Sequence, residues 1–298
     1  SLNSNATDVE VNYSNITAVH EHGFNVGATE LVNKSGQNLV AWCWKAGGTA
    51  VSNSDGTITS SVSANTVAGF SIVSYTGNET NDATVGHGLG KSPDMVIIKD
   101  RVSNSAGNNW YVFHSALASG HYVKLNQTSA TTAVSGTSNG GVGSVTSTTF
   151  NFIQGTAGNN KNTNENGDRF IAYCWHSVLG YSKIGSFKGN ANANGPFVYT
   201  GFRPAFILFK NSSTTTNWEI YDTTRPYGKY NPAFRPLYAN HNYVEETHAT
   251  LPALDILNDG FKPRSTWDEF NKSNDTILYM AFAEQPGTTP YDTQTNAR

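Results

Sequence analysis

The sequence predicts an all-β fold: tandem antiparallel β-sandwich repeats, jelly-roll-like, of about 110 residues each, with the first unit incomplete. Three observations predict it. Of the 298 residues only 14% are charged while 12% are aromatic and 28 are glycine, and that mix suits short strands joined by uncharged turns rather than a helical bundle. Short apolar runs alternate with Gly, Asn, Asp and Ser turn signals. One run also recurs three times, as Asn38-Leu39-Val40-Ala41-Trp42-Cys43-Trp44-Lys45, Arg169-Phe170-Ile171-Ala172-Tyr173-Cys174-Trp175-His176 and Thr276-Ile277-Leu278-Tyr279-Met280-Ala281-Phe282-Ala283. Each copy is free of proline and rich in β-branched, aromatic and small apolar residues, the pattern of a closing strand buried on both faces.

Taken in order, residues 1–48 read as the C-terminal part of a truncated first repeat, with Gly23 to Gly27, a polar turn at Asn33 to Gly36 and the Trp42-Cys43-Trp44 strand. Residues 49–68, within a Gly, Ser, Thr and Asn-rich stretch, read as a linker or surface excursion. The first complete repeat spans 69–180. Its strands are expected at Gly69 to Asn78, Pro93 to Lys99, Trp110 to His114, Tyr122 to Leu125, Phe150 to Ile153 and the closing run, with Asn126 to Ser147 an exposed loop holding at most weak strands. The second complete repeat spans 181–286 and keeps the order. Tyr181 to Asn190 matches Gly69 to Asn78, Pro204 to Lys210 matches Pro93 to Lys99, and Asn217 to Asp222 matches Asn109 to His114. Gly260-Phe261 matches Thr149-Phe150, and five landmarks in one order define a repeat of domain size rather than a solenoid. Ala249 to Leu257, after a Thr-x-Pro start, reads as a short helix or turn, and 287–298 as a C-terminal tail. Cys43 and Cys174 occupy equivalent places in two units, so both read as small buried hydrophobes with no disulfide between them and no zinc spacing.

Four motifs carry a family resemblance: Trp42 to Gly48, Gly69 to Asn78, Gly86 to Pro93, and Ala172 to Ser186. With Gly195 to Ala205 and Tyr279 to Pro286 they cover nearly the whole chain. Together they resemble a repeat-domain family of tail fibres and related virion proteins of tailed phages, notably marine ones. The resemblance implies an extracellular virion location and a role in the tail, and it carries no catalytic residue.

Net charge is −3 and the cations are scattered, which offers no basic face for a phosphate backbone, so no nucleic-acid partner is expected. No apolar run approaches the roughly 18 residues of a membrane span, and the N-terminus lacks the basic and apolar regions of a signal peptide, so a soluble fragment with no membrane insertion is expected. His20-Glu21-His22 supplies two potential ligands on one strand face without a third, and His87 between two glycines reads as a turn residue; no metal and no cofactor is expected. A glycosidase needs two carboxylates facing across a groove. Asp222, Glu245, Glu246, Asp255, Asp259, Asp268 and Glu269 are the raw material, but His114 stands where Asp222 does in the other unit.

Five strand tryptophans, at 42, 44, 110, 175 and 218, read as core. Trp267, beside Asp268 in the polar run Arg264 to Glu269, and Tyr227, Tyr230 and Tyr243 in the irregular segment after Arg225, present flat faces beside polar groups, as sugar stacking requires. They are the candidate ligand-binding residues. The expectation is a non-enzymatic tail-fibre protein, a homotrimer alongside other virion tail proteins, whose loops bind a bacterial surface glycan or outer-membrane receptor with avidity. A purely structural virion module (shaft, decoration or baseplate element) and a glycan-cleaving enzyme are the alternatives.

Overall fold

A computed structural model describes residues 1–298 apart from 21, 103–107, 135–139, 154–160, 226–229, 246–253 and 284–298. The N-terminal part holds β1 (Ile16–His20), β2 (Gly23–Val26) and the one-turn α1 (Glu30–Asn33). The first full unit comprises β3 (Val51–Asn53), β4 (Ser60–Asn65), β5 (Phe70–Thr76), β6 (Thr84–Gly86), β7 (Met95–Asp100), β8 (Tyr111–His114) and β9 (His121–Lys124). It continues with β10 (Thr132–Ala133), β11 (Gly141–Val145), β12 (Thr149–Ile153), α2 (Lys161–Asn164) and β13 (Arg169–Trp175). The second comprises β14 (Ser182–Lys188), β15 (Val198–Tyr199), β16 (Pro204–Asn211), β17 (Trp218–Asp222) and β18 (Leu237–Tyr238), then β19 (Leu254–Leu257), β20 (Gly260–Pro263), α3 (Asp268–Asn271) and β21 (Thr276–Ala283).

The first unit is a sandwich of an eight-stranded sheet, β10-β9-β8-β7-β13-β5-β4-β3, over a three-stranded one, β11-β12-β6. The second sets β14-β21-β16-β17-β18 over β15-β20-β19. Strand pairing is antiparallel throughout both, and strand connectivity is shared: β9-β8-β7-β13-β5 in one runs as β18-β17-β16-β21-β14 in the other. Register agrees too, since Trp175 lies opposite Met95 as Phe282 lies opposite Phe206.

The unbroken apolar runs are explained by parity. Side chains alternate across a strand, so Phe170, Ala172 and Cys174 of β13 point into the first sandwich with Val96, Ile98, Phe150 and Phe152. The equivalent set in the second is Ile277, Tyr279 and Ala281 with Ile207, Phe209 and Phe261. The other parity of both central sheets, Met95, Ile97 and Trp175 with Phe206, Leu208, Met280 and Phe282, forms a third core shared by the two units. Strands buried on both faces have no room for polar residues except where a partner is supplied.

Several expectations change. Residues 49–68 are no linker: β3 and β4 extend the large sheet from β5, with Ser60 to Asn65 paired to Tyr75 to Phe70. Part of the supposed loop from Asn126 to Ser147 is β11, and its Val142 is buried in the first sandwich. Leu254 to Leu257 is a strand rather than a helix, because β20 pairs along its length. Cys174 is buried but Cys43 is exposed. Residues 38–45 belong to no sheet, and burial alternates along 40–45, with Trp42, Trp44 and Ala46 packed on the shared core. The tail at 287–298 lies outside the described residues. Among the described residues no helix is long and apolar enough to cross a membrane.

Candidate functional site

The site is built from two segments that lie like straps across the ends of interior strands, β7 and β8 in one sandwich and β16 and β17 in the other. In the second unit, Trp218 opens β17 and its indole Nε1 donates to Lys124 O at 2.8 Å. Lys210 Nζ, at the end of β16, donates to Thr128 O at 3.0 Å, and Thr131 N donates to Ser212 O at 2.8 Å. The strap Lys124 to Thr131 therefore comes from the first unit and is clamped by the second. The first unit clamps the N-terminal segment the same way: Trp110 Nε1 donates to Asn3 O at 2.9 Å, Lys99 Nζ to Thr7 O at 3.3 Å, and Glu10 N to Arg101 O at 2.9 Å. Both lysines are fully buried. Burial lowers the Lys99 pKa and brings that of Lys210 down to about 7, with Asp100 and Asp8 opposing it at Lys99 and Glu269 at Lys210. Oxygen acceptors around each Nζ offset the loss of water.

Between the strip at 38–44 and a third segment, Tyr238 to Glu245, opens a groove of about 1170 Å³. Its floor is aromatic: Trp44 meets Trp175, Phe206 and Phe282 edge-on at 6.3, 5.4 and 5.6 Å, and Trp42 meets Phe206 at 5.5 Å. One wall is polar. Arg225 donates to Asp222 at 2.6 Å, to Glu245 at 2.7 Å and to the Arg235 carbonyl at 2.9 Å. That pinning fixes the segment against β17. At the rim Tyr243 stacks on His241 with ring centres 4.5 Å apart and meets Tyr238 edge-on. An apolar floor with a fixed polar wall and, at its edge, backbone that pairs with no strand suits a polypeptide better than a small polar solute.

The structure separates the residues singled out for ligand binding. Tyr243 is on the groove and exposed. Tyr230 is 72% exposed and does not line it. Trp267 and Asp268 lie at the start of α3, which packs on β16 and β21; Trp267 is 37% exposed and Asp268 pairs with Lys272 at 2.8 Å. Tyr227 lies outside the described residues. Missed altogether were Lys99, Lys210 and Arg225. A lysine closing the apolar run at the same register in both units was the available signal for the first two.

The remaining candidates are accounted for locally. His87 is buried and lies within hydrogen-bond distance of Thr146 O at 3.2 Å, while its Nδ1 accepts from Leu89 N at 3.2 Å; burial lowers its pKa. Asp222 and Glu245 share one guanidinium, and Asp255 pairs with Arg264 at 2.6 Å. Glu21 and Glu246 lie outside the described residues, and among the described residues no three His, Cys, Asp or Glu side chains are placed to hold a metal ion. Comparison with curated proteins and with solved structures finds no match. A family model, Domain of unknown function (DUF7483), matches residues 1–286. The chain, with its strap-and-groove arrangement, therefore belongs to the DUF7483 family.

Proposed function

We propose that this chain is a non-enzymatic structural module of a phage virion, a tail-fibre element whose work is to dock sandwich units against one another. The observation that supports it is the strap contact, made twice with the same Trp and Lys donors and the same spacing of acceptors. Backbone carbonyls as acceptors make the joint tolerant of strap sequence, and the shared apolar core makes it stiff. Three copies on one fibre would multiply weak contacts at its tip. Immunogold labelling of purified virions with antibody against this chain is expected to mark the tail, and absence of label from intact and detergent-opened particles would reject the reading.

Exposed aromatics favour a second reading, in which Tyr230 and Trp267 with Asp268 stack on and hydrogen-bond a bacterial surface glycan. Saturable binding of the purified chain to host cells, lost in Trp267→Ala, supports that reading. Binding unchanged in both Trp267→Ala and Tyr230→Ala removes these residues from it.

A further inference from the structure

The N-terminal part carries a strand pair and a one-turn helix like those in both sandwiches, and the side chains that are interior in the sandwiches face outward here. β1 and β2 pair Val19 with Phe24 as β11 and β12 pair Val145 with Phe150, and as β19 and β20 pair Ile256 with Phe261. A one-turn helix follows in each, and its last residue is Asn33, Asn164 or Asn271. At the same distance beyond it stand Trp44, Trp175 and Phe282, and Trp44 touches both of its counterparts. Residues 38–45 thus hold the place of β13 and β21.

The interior positions differ in what covers them. Phe150 and Phe261 are fully buried whereas Phe24 is 37% exposed; Phe170 and Ile277 are buried whereas Leu39 is 59% exposed. Cys174 and Ala281 are sealed, but Cys43 is open. Asn164 and Asn271 are buried and fix the turns at Asn78 and Asn190, while Asn33 is exposed. β13 is paired on both edges by β5 and β7, and β21 by β14 and β16. Residues 38–46 make no backbone-to-backbone hydrogen bond among the described residues. Apolar, alternating in burial along 40–45 and unpaired with any strand, such a segment is a template for added strands.

A third strap points to the same place. Ala239 N donates to Trp218 O as Leu125 N does to Trp110 O, and Asn240 accepts from Trp218 N as Asn126 does from Trp110 N. Tyr238 to Glu245 therefore corresponds to Lys124 to Thr131 and to Asn3 to Glu10. Val9 and Ala130 are half-buried under their clamps, whereas Val244 is 84% exposed. Ser4 Oγ donates to Ala239 O at 2.8 Å, which brings the strap clamped by the first unit beside this third one.

We infer that the groove and the open face presented by residues 16–20 and 22–45 are the docking site for a half-unit of strands like β5 to β9. Asn3 takes the position of Lys124, which ends β9, so a copy of β5 to β9 can be joined ahead of Ser1 without a linker to test the inference. Such a half-unit pairs both edges of residues 38–45, covers Phe24, Leu39 and Cys43, and presents a lysine and a tryptophan to clamp Tyr238 to Glu245. Three sandwiches then close around Trp44, Trp175 and Phe282. A second copy of this chain is a poor donor because its β5 to β9 strands are already paired. The inference rests on the docking reading of the straps and is independent of a virion location.

Cys43 reports on it directly. In the chain as it stands, a thiol reagent such as 5,5′-dithiobis(2-nitrobenzoate) is expected to label Cys43 rapidly and leave Cys174 untouched. In a chain carrying a copy of its own residues 69–121 joined ahead of Ser1, Cys43 labelling is expected to slow by about a hundredfold or more, as for a group reached only through opening. Amide exchange at 39–45 should slow in parallel. Replacing the appended copies of Trp110 by Phe and Lys99 by Met should speed exchange at 238–245 while leaving Cys43 covered. Cys43 labelling at its original rate in the extended chain overturns the inference, whether the appended strands fold apart or stay unfolded. Cys43 protection in the unextended chain, accompanied by a dimer or trimer mass, overturns it in favour of a second copy.

Discussion

His114 shows how one position is adapted to two chemistries. At the end of β8 it lies opposite Met95, as Asp222 lies opposite Phe206 in the second unit, but Asp222 has Arg225 to neutralise it. His114 is almost fully buried, its Nδ1 accepts from Ala116 N at 3.1 Å, and burial pushes its pKa down to about 4. In the unfolded chain the ring titrates near its ordinary value of about 6.5. The unfolded state thus binds more protons between these values, and stability is full above about pH 6.5 and falls as pH drops towards 4. The loss is about 3 kcal/mol. His114→Asn keeps an acceptor near Ala116 N and removes the titration. Denaturant titrations at pH 4.5 and 7 should show a gap between the two pH values that is smaller in the variant by most of that amount, and equal gaps would refute the assignment. Subtracting one protein from the other cancels His87 and the carboxylates, which titrate in both.

The straps pose the corresponding question for an element. Lys210 Nζ donates to Thr128 O, Thr216 O and Thr216 Oγ1 at 3.0, 2.7 and 3.3 Å. Lys210→Met keeps the buried stem and leaves those acceptors unmet, at a cost of about 1–3 kcal/mol. Hydrogen exchange should speed up at Thr131 and Thr216, whose amides donate across the joint to Ser212 O and Thr128 O. Unchanged exchange at both would show that the lysine does not hold the strap. How far this element could be read from sequence follows from what carries it. The runs ending in Lys99 and Lys210, the tryptophans at 110 and 218 and the order of strands are side-chain patterns, and they were legible. A strap is bound mainly through its backbone carbonyls and amides, which any residue but proline supplies, so Asn3 to Glu10 and Lys124 to Thr131 look like ordinary polar loop. β4 escaped because Ser and Ala share its faces with a single Val, and pairing with β5 rather than propensity makes it a strand. Leu254 to Leu257 was misread because a short apolar run has no diagnostic period, and β20 decides it. Of the candidate site, Tyr243 was visible as an aromatic among polar residues. Its apposition to Trp42 and Trp44 depends on contacts between remote parts of the chain.

For the whole molecule, the decisive feature is the core shared between units, because common side chains pack the two sandwiches against one another. Trp44 is its keystone in a testable sense, with one ring meeting Trp175 of the first unit and Phe206 and Phe282 of the second. Leu39, nearby on the same unpaired segment, sits on the opposite parity and is 59% exposed. Buried aromatic truncations cost about 3–5 kcal/mol, and a half-buried ring should fall near the lower end. Exposed positions usually change stability by less than about 0.5 kcal/mol. Trp44→Ala should therefore lower the midpoint of thermal unfolding and split a single calorimetric transition in two as the units lose their common filling, while Leu39→Ala leaves the profile in place. If the two variants behave alike, or if the unsubstituted chain already unfolds in two independent steps, the shared core does not couple the units. The same pair also discriminates parity from mere apolarity. Once a half-unit covers residues 38–45, Leu39→Ala should become as costly as a truncation at its counterpart Phe170 while the Trp44 penalty persists, because only then does the segment become a strand buried on both faces.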